Sequence, residues 1–201
     1  MSRLFASCLR IAGLSVMAMG MTIIGSSSSA SAHVYHFSRP GVRDTGTLPP
    51  GDTLEFTGGS VDGVNVTVHC TTLDVSGIVP TSGLTITLSP PTVAGCTDNL
   101  GGTVAVMTNR THGNWKLKVD SSGSTMTVRI PEGGMVFTDS LAHGCVITTH
   151  SGSLVGSYND LDEASFTNAG PVGVGPRGCD VAGTTVLSAN VAFSEAESVA
   201  G

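Results

Sequence analysis

Six histidines and four cysteines lie beyond residue 32, and they are the side chains in this sequence best suited to metal binding or nucleophilic chemistry. His33 stands out among them because it directly follows Ala30, Ser31 and Ala32, small residues of the kind that signal peptidase reads. Cleavage after Ala32 would make His33 the amino terminus of the exported chain. A terminal amine and its own imidazole, joined by a second histidine, form a T-shaped nitrogen site suited to copper.

This junction resembles the mature amino terminus of copper-dependent polysaccharide monooxygenases and of some periplasmic copper carriers, both of which are β-sandwiches. The resemblance implies copper as a cofactor, with His33 as one ligand and His112 or His143 as the second. The rest of the chain differs from both families: it has one Trp and two Tyr, and four of its seven Met lie in residues 1–32. A copper-binding or copper-oxidising protein is therefore kept as an alternative, and the leading interpretation assigns no cofactor.

Other catalytic motifs are weak in this sequence. It has no G-x-S-x-G nucleophile motif, and on a strand His69 would point away from the neighbouring Cys70 and could not activate it. The acidic residues Asp160, Asp162 and Glu163 lack the spacing and the glycine of a calcium loop, which favours an exposed acidic turn. A secreted hydrolase whose carboxylates come together from distant positions is a further alternative, because no local motif encodes such a pair.

Residues 1–32 are predicted to be a signal peptide. Arg3 and Arg10 supply its positive charge, and residues 11–25 form its apolar stretch. This stretch is shorter than the ~20 residues that span a bilayer comfortably, and nothing like it recurs downstream. The expected product is secreted, or associated with the cell envelope, with no membrane insertion after cleavage.

The exported chain is expected to be acidic. Loss of residues 1–32 removes Arg3 and Arg10 but no acidic residue, which leaves seven basic and fifteen acidic side chains. Nucleic acids and anionic membrane surfaces are bound through clustered Lys and Arg, so neither is an expected partner. The expected partner is an unidentified extracellular or envelope ligand.

Apolar and polar residues alternate in many short stretches separated by Gly, Pro, Asn or Asp, which is typical of an all-β protein. The clearest case is residues 114–131. There Trp115, Leu117 and Val119 alternate with polar residues, and a second alternating strand follows a Ser-Ser-Gly turn. The pattern predicts a hairpin with one buried face and places Trp115 in the core. The predicted fold is a disulfide-stapled β-sandwich or barrel.

The cysteines lie in two similar blocks, from Cys70 to Cys96 and from Cys145 to Cys179. Each block has a Ser-Gly pair six and seven residues after its first cysteine and closes with a Gly-Cys pair. Four cysteines in an exported chain suggest full pairing, with three connectivities open. The repeated block favours Cys70–Cys96 and Cys145–Cys179, since each pair then closes one block.

The same similarity predicts two related β units in tandem, residues 53–120 and 121–194. Together with a short tail at 195–201 they form the predicted β domain, residues 53–201. An extended segment, residues 33–52, precedes this domain.

As a whole the chain resembles small exported actinobacterial proteins with paired Gly-Cys blocks, an Asn-Trp-x-Leu hairpin (here residues 114–117) and a composition rich in Gly, Ser, Thr and Val. That family has no assigned activity, so the resemblance implies an exported location and a β fold but no reaction. The leading hypothesis is a non-enzymatic binding, adhesive or structural module of the cell exterior or envelope.

Overall fold

The structure, a computed structural model, describes residues 36–37, 39–108, 113–140, 144–158, 163–167, 173–194 and 199–200. The chain divides into two compact units, Met1–Ala32 and His33–Gly201, and every described residue belongs to the second. These residues form strands, turns and bends without a helix, which confirms the all-β prediction.

The strands of the described part are short apart from two long ones, β4 and β15. In chain order they are β1 (His36–Phe37), β2 (Arg43–Thr47), β3 (Leu54–Val61), β4 (Val64–Ile78), β5 (Thr85–Leu88), β6 (Thr92–Asp98), β7 (Thr103–Thr108), β8 (Trp115–Val119), β9 (Thr125–Ile130), β10 (Met135–Asp139), β11 (Val146–Thr149), β12 (Gly152–Tyr158), β13 (Glu163–Phe166), β14 (Val174–Arg177), β15 (Asp180–Phe193) and β16 (Val199–Ala200).

Eight strands pair in a closed circuit. It runs from β4 through β2, β15, β13, β12, β9, β8 and β5, and β5 pairs again with β4. Every pairing is antiparallel, which an even number of strands permits in a closed ring. We call this set the eight-strand circuit.

The remaining strands of the large sheet form a second region, which we call the open branch. It continues from β4 through β6, β7, β10 and β11 to β14, and it includes β3, which lies between β4 and β15. The long strands β4 and β15 take part in both regions. β1 and β16 pair with each other in a separate two-stranded sheet.

Two Pro-Pro pairs mark the points where the chain passes from the circuit to the open branch. Pro49 and Pro50 separate β2 from β3 along one edge of β4, and Pro90 and Pro91 separate β5 from β6 along the other. Proline has no N–H to give to a ladder, so strand pairing stops at each of these positions. After each Pro-Pro pair the next strand, β3 or β6, also pairs with β4, and this strand belongs to the open branch.

Strands from the two predicted repeat units share this sheet. β7 pairs with β10, β8 with β9, and β3 with β15, so ladders join residues 53–120 to residues 121–194. β2 lies in residues 33–52, the predicted extended segment, and pairs with both β4 and β15.

Alternation places the core as the sequence predicts. In β8 the side chains of Trp115, Leu117 and Val119 are buried, and those between them are exposed. In the open branch Phe56 of β3 and Phe137 of β10 stack face to face, with ring centroids 4.2 Å apart and the planes 1° from parallel. Both rings are almost fully buried, so this stack anchors the open branch.

Candidate functional site

The predicted copper ligands His33, His112 and His143 lie outside the described residues, as do Ala30 and Ala32 of the predicted cleavage site. Copper binding and the cleavage position therefore stay predictions. Within the described ranges, no three side chains of His, Cys, Asp or Glu are grouped so that they could hold a metal ion.

Two described histidines each pair with a glutamate at the surface. His69 Nδ1 lies 3.3 Å from Glu55 Oε1 across the β3–β4 ladder. His150 Nδ1 lies 2.6 Å from Glu132 Oε1, and Glu132 Oε2 accepts a hydrogen bond from the Ser151 N–H at 2.8 Å. All four paired side chains are well exposed to water, which weakens such ion pairs. The glutamates chiefly fix the orientation of the imidazole rings.

The disulfides Cys70–Cys96 and Cys145–Cys179 are both present, in the pairing that the cysteine blocks favour. Cys70 and Cys96 lie directly opposite each other on β4 and β6, with Cα atoms 4.0 Å apart. In the loop-entropy model each crosslink stabilises the fold by about 3–4 kcal/mol. All four sulfurs are therefore bonded, and none serves as a nucleophile.

The backbone conformation explains why a glycine precedes the closing cysteine of each block. Gly95 has φ +64° and Gly178 has φ +78°, backbone conformations that L side chains rarely adopt. A Cβ on Gly178 would lie 2.9 Å from the carbonyl oxygen of Gly144, and a Cβ on Gly95 would collide with the Thr71 hydroxyl. Glycine is thus required beside each closing cysteine, independently of any ligand.

The structure places together two carboxyls that the sequence reasoning missed. Asp98 ends β6 and Asp139 ends β10, and their relative exposures are 7% and 5%. A Cβ on Gly102, which lies just before β7, would be 2.9 Å from an oxygen of each carboxyl. Of the predicted acidic turn, Asp160 and Asp162 lie outside the described residues, and Glu163 begins β13.

Hydrogen bonds control the ionisation of Asp98. Burial acts to raise its pKa, but hydrogen bonds to Asp139 and from the backbone of Leu100, Gly101 and Gly102 outweigh burial and hold the pKa of Asp98 below its ordinary value.

The Asp98–Asp139 pair fastens the β6–β7 turn to the end of β10. Its low exposure leaves little access for a substrate, so its role is structural. The turn of Asp98, with Gly101 and Gly102 after it, has a recognisable sequence pattern. Asp139 has no local signal, because its position beside Asp98 depends on the long-range pairing of β7 with β6 and β10.

A polar surface cavity of about 220 Å³ lies where β3 and β15 run side by side. Asp52, Glu55 and Asn190 are among its lining residues, and Asn190 Nδ2 donates a hydrogen bond to Asp52 Oδ2 at 2.9 Å. Two carboxylates thus border one accessible cavity, an arrangement that the hydrolase alternative requires.

A second cavity, of about 60 Å³, is lined by fifteen of the described residues, and only apolar atoms of these residues face it. Most come from the eight-strand circuit, including Leu117 of β8, Leu154 of β12 and Val191 of β15. Met135 of the open branch also contributes. We call this space the Trp115 cavity, after the tryptophan among its lining residues.

Trp115 is 5% exposed, so it is a core residue as predicted. Its Nε1 is buried and has no hydrogen-bond acceptor among the described residues. Buried tryptophan N–H groups usually find a partner, and a buried donor without one costs about 1–3 kcal/mol. The alternating pattern identified the burial but contains no information about the missing acceptor.

Comparison with known proteins gives no match: no family model, no curated protein and no solved structure matches this chain. Support for a function therefore comes from the geometry of the described residues. The Asp98–Asp139 pair is closed to ligands, whereas the Trp115 cavity offers free volume among apolar side chains.

Proposed function

We propose that this chain is an exported binding module that holds a small apolar ligand in the Trp115 cavity without converting it. The observation that carries the proposal is the lining of that cavity, to which the described residues contribute no acid, base or nucleophile. A ligand there gains about 25 cal/mol for each Å² of apolar surface removed from water. It meets no side chain that could attack it or take its proton.

The size of the cavity restricts the ligand. Its volume of about 60 Å³ is well below the ~150 Å³ of an engineered cavity that accepts benzene in another protein. The ligand therefore has few heavy atoms, or it enters as side chains in the wall move. Met135 suits such movement, because its side chain is unbranched and turns about three bonds.

Export is supported by the two disulfides, since structural disulfides persist in oxidising compartments. No helix in the described part of the chain is long and apolar enough to cross a membrane. Mass spectrometry of protein recovered from culture supernatant tests the location. We expect a chain that begins at His33 and contains both disulfides, and a chain that retains residues 1–32 or free thiols would contradict the proposal.

Xenon binding tests the ligand site, because xenon is apolar and enters dry apolar cavities. Methyl NMR signals of Leu117, Leu154 and Val191 are expected to shift with xenon pressure. Ala189→Val should weaken these shifts by filling part of the cavity, since Ala189 lines it. Ala105→Val makes the same change at an exposed position of β7 and should leave the shifts intact. No shift at any of the three methyl-bearing residues would overturn the proposed function.

The polar cavity favours a second candidate, a hydrolase that uses Asp52 and Glu55. Its test is hydrolysis of a panel of chromogenic glycosides by the exported protein. Asp52→Asn and Glu55→Gln should each abolish any turnover, and Asp62→Asn is the matched control at an exposed residue outside that cavity. Turnover that survives both changes would exclude this pair.

Copper binding remains a separate alternative with its own experiment. Calorimetric titration with Cu²⁺ should show tight binding to the mature chain and much weaker binding once an alanine is inserted before His33. Equal affinity of the two forms for Cu²⁺ would exclude copper binding by an amino-terminal His33.

A further inference from the structure

We propose that the outer surface of β8 and β9 binds an acidic polysaccharide through Lys116, Lys118 and Arg129. We call these three side chains the basic face. All three are exposed, and the two lysines are the only lysines of the chain. Trp115 and Leu117 alternate with the lysines along β8 and are buried, so the basic face and the Trp115 cavity lie on opposite sides of the sheet. The inference therefore goes beyond the proposed function and does not depend on it.

The pairing of β8 with β9 places two positive charges side by side. Lys116 lies directly opposite Arg129 in this ladder. Like charges in opposite positions destabilise an antiparallel ladder, whereas opposite charges stabilise it. The β3–β4 ladder has the favourable arrangement, because Glu55 lies opposite His69 and its Oε1 is 3.3 Å from the imidazole Nδ1. The basic face thus concentrates charge where another exposed ladder pairs it.

The chain supplies no counter-charge to the basic face. None of its three cations forms an ion pair within 4.0 Å in the described part of the chain. Thr87 of β5 and Ser153 of β12, which pair with Lys116 and Arg129, are uncharged. Asp120 follows β8, but its carboxylate accepts hydrogen bonds from its own turn. An anion from outside can therefore provide the missing charge.

The charge of the whole chain restricts the kind of anion. Residues 33–201 contain seven basic and fifteen acidic side chains, so a broad anionic surface that reaches beyond the basic face would be repelled. Anionic bilayers attract clusters of about 4–8 Lys and Arg, more than the three present here. Single-stranded nucleic acids stack their bases on aromatic side chains, and none is paired with the basic face. A single flexible chain of acidic sugars can contact this face alone.

Hydroxyl groups beside the cations suit a sugar polymer. Thr85 and Thr87 of β5 lie opposite the two lysines, and Ser153 of β12 lies opposite Arg129. All three hydroxyl-bearing residues are exposed. Each hydroxyl can donate and accept a hydrogen bond, as sugar hydroxyls do. The cations can thus bind the acidic groups while Ser and Thr bind the neighbouring sugar hydroxyls.

Two forms of one polymer test this inference: oligogalacturonate, a chain of carboxylated sugars, and its methyl ester, which has the same sugars without the charges. Binding to the purified, disulfide-bonded protein is measured by NMR titration at low and at physiological salt. We expect oligogalacturonate to shift the signals of Lys116, Lys118 and Arg129, and the ester to leave them in place. The affinity for oligogalacturonate should fall as the salt concentration rises, because salt screens exposed charges.

Single substitutions locate the binding surface. Lys116→Gln and Arg129→Gln should each weaken oligogalacturonate binding by roughly two- to fivefold, the range expected for one exposed ion pair. Arg177→Gln removes the same charge at an exposed position of β14 and is the matched control. Its affinity should stay close to that of the wild type.

The outcomes separate this proposal from the others. Absence of oligogalacturonate binding, equal binding of the ester, or equal weakening by Arg177→Gln would overturn it. Poly-L-glutamate that binds as tightly as oligogalacturonate of equal charge would also overturn it, since the basic face would then recognise an acidic peptide. Xenon tests the Trp115 cavity separately, so either site can fail without the other.

Discussion

The interiors of the eight-strand circuit and the open branch are built by the same alternating pattern and are filled differently. In the open branch, Phe56 and Phe137 stack at 4.2 Å. The backbone comes so close to this stack that a Cβ on Gly58 would lie 2.6 Å from the Phe56 ring. In the circuit, aliphatic side chains and the rings of Trp115, Phe166 and Phe193 meet around the Trp115 cavity and leave about 60 Å³ unfilled.

Alternation thus decides which side chains face inward, but not whether they fill the space where they meet. Protein interiors are normally packed as densely as organic crystals, so unfilled volume forgoes dispersion contacts. In the open branch the Phe56 and Phe137 rings stack in direct contact, and the Thr149 hydroxyl and Asp98 Oδ1 form hydrogen bonds within the chain. Each region has a buried polar atom without a hydrogen-bond partner among the described residues, Trp115 Nε1 in the circuit and Asp98 Oδ2 in the open branch. The unfilled volume of the Trp115 cavity lies mainly among residues of the circuit. The difference is consistent with one region that holds the fold together and one that receives a ligand.

The largest change in stability is expected when an aromatic ring is removed, and this change can be made in each region. Phe137→Ala should destabilise the protein by about 3–5 kcal/mol, because it leaves a large void and exposes one face of Phe56. Phe193→Ala deletes the same atoms beside the Trp115 cavity, where the ring is only partly buried. Its cost should be below about 3 kcal/mol.

Urea unfolding with both disulfides intact measures these two free energies. The contrast between the regions would be wrong if Phe193→Ala cost as much as Phe137→Ala. Xenon binding in the Phe137→Ala variant, at a new site beside Phe56, would show directly that the stack fills its space in the wild type.

Local sequence patterns were sufficient for much of the fold. The hairpin of β8 and β9 followed from alternation around a Ser/Gly turn, and Trp115 was assigned to the core by the same pattern. The disulfide pairing followed from the repeated cysteine blocks. In each case the information lies within a few tens of residues, on one strand or one loop.

Features that depend on distant pairing could not be predicted in this way. Closure of the circuit depends on the pairing of β5 with the carboxyl-terminal end of β4. The Pro-Pro pairs that begin at Pro49 and Pro90 predict an interruption of a strand, but they do not predict which strands pair after the interruption. The Asp98–Asp139 pair needs β7 between its two strands. The missing acceptor of Trp115 is a property of everything around the indole, so no spacing in the sequence could reveal it.

A smaller effect comes from adding methyl groups to each interior. Gly58→Ala places a methyl against the Phe56 ring, which cannot move freely because Phe137 lies on it, and should cost about 1–3 kcal/mol. Ala189→Val adds two methyls beside the Trp115 cavity and should change stability by less than about 1 kcal/mol. Thermal and urea unfolding of both variants measure the difference, and equal destabilisation would show that the cavity wall is as rigid as the stack.

The smallest expected effect compares one aspartate turn from each region. Asp98, whose side chain is buried, accepts backbone N–H groups in the β6–β7 turn. Asp120 does the same from Ser124 and Thr125 in the exposed β8–β9 turn, and the Ser122 hydroxyl also donates to it. The hydrogen bond from Ser122 is the main cause that lowers the pKa of Asp120, whereas the pKa of Asp98 is lowered in spite of burial.

A lowered folded-state pKa stabilises the protein above the unfolded pKa, about 3.9, and this stabilisation is lost as pH falls through the folded-state value. Carboxyl ¹³C NMR should therefore give titration midpoints below 3.8 for both Asp98 and Asp120. Between pH 5 and pH 2 the unfolding free energy should fall less steeply in Asp98→Asn than in the wild type. Asp120→Asn should change that slope less, because water can replace the serine donors at an exposed turn. A midpoint for Asp98 above 3.8 would mean that burial outweighs its hydrogen bonds.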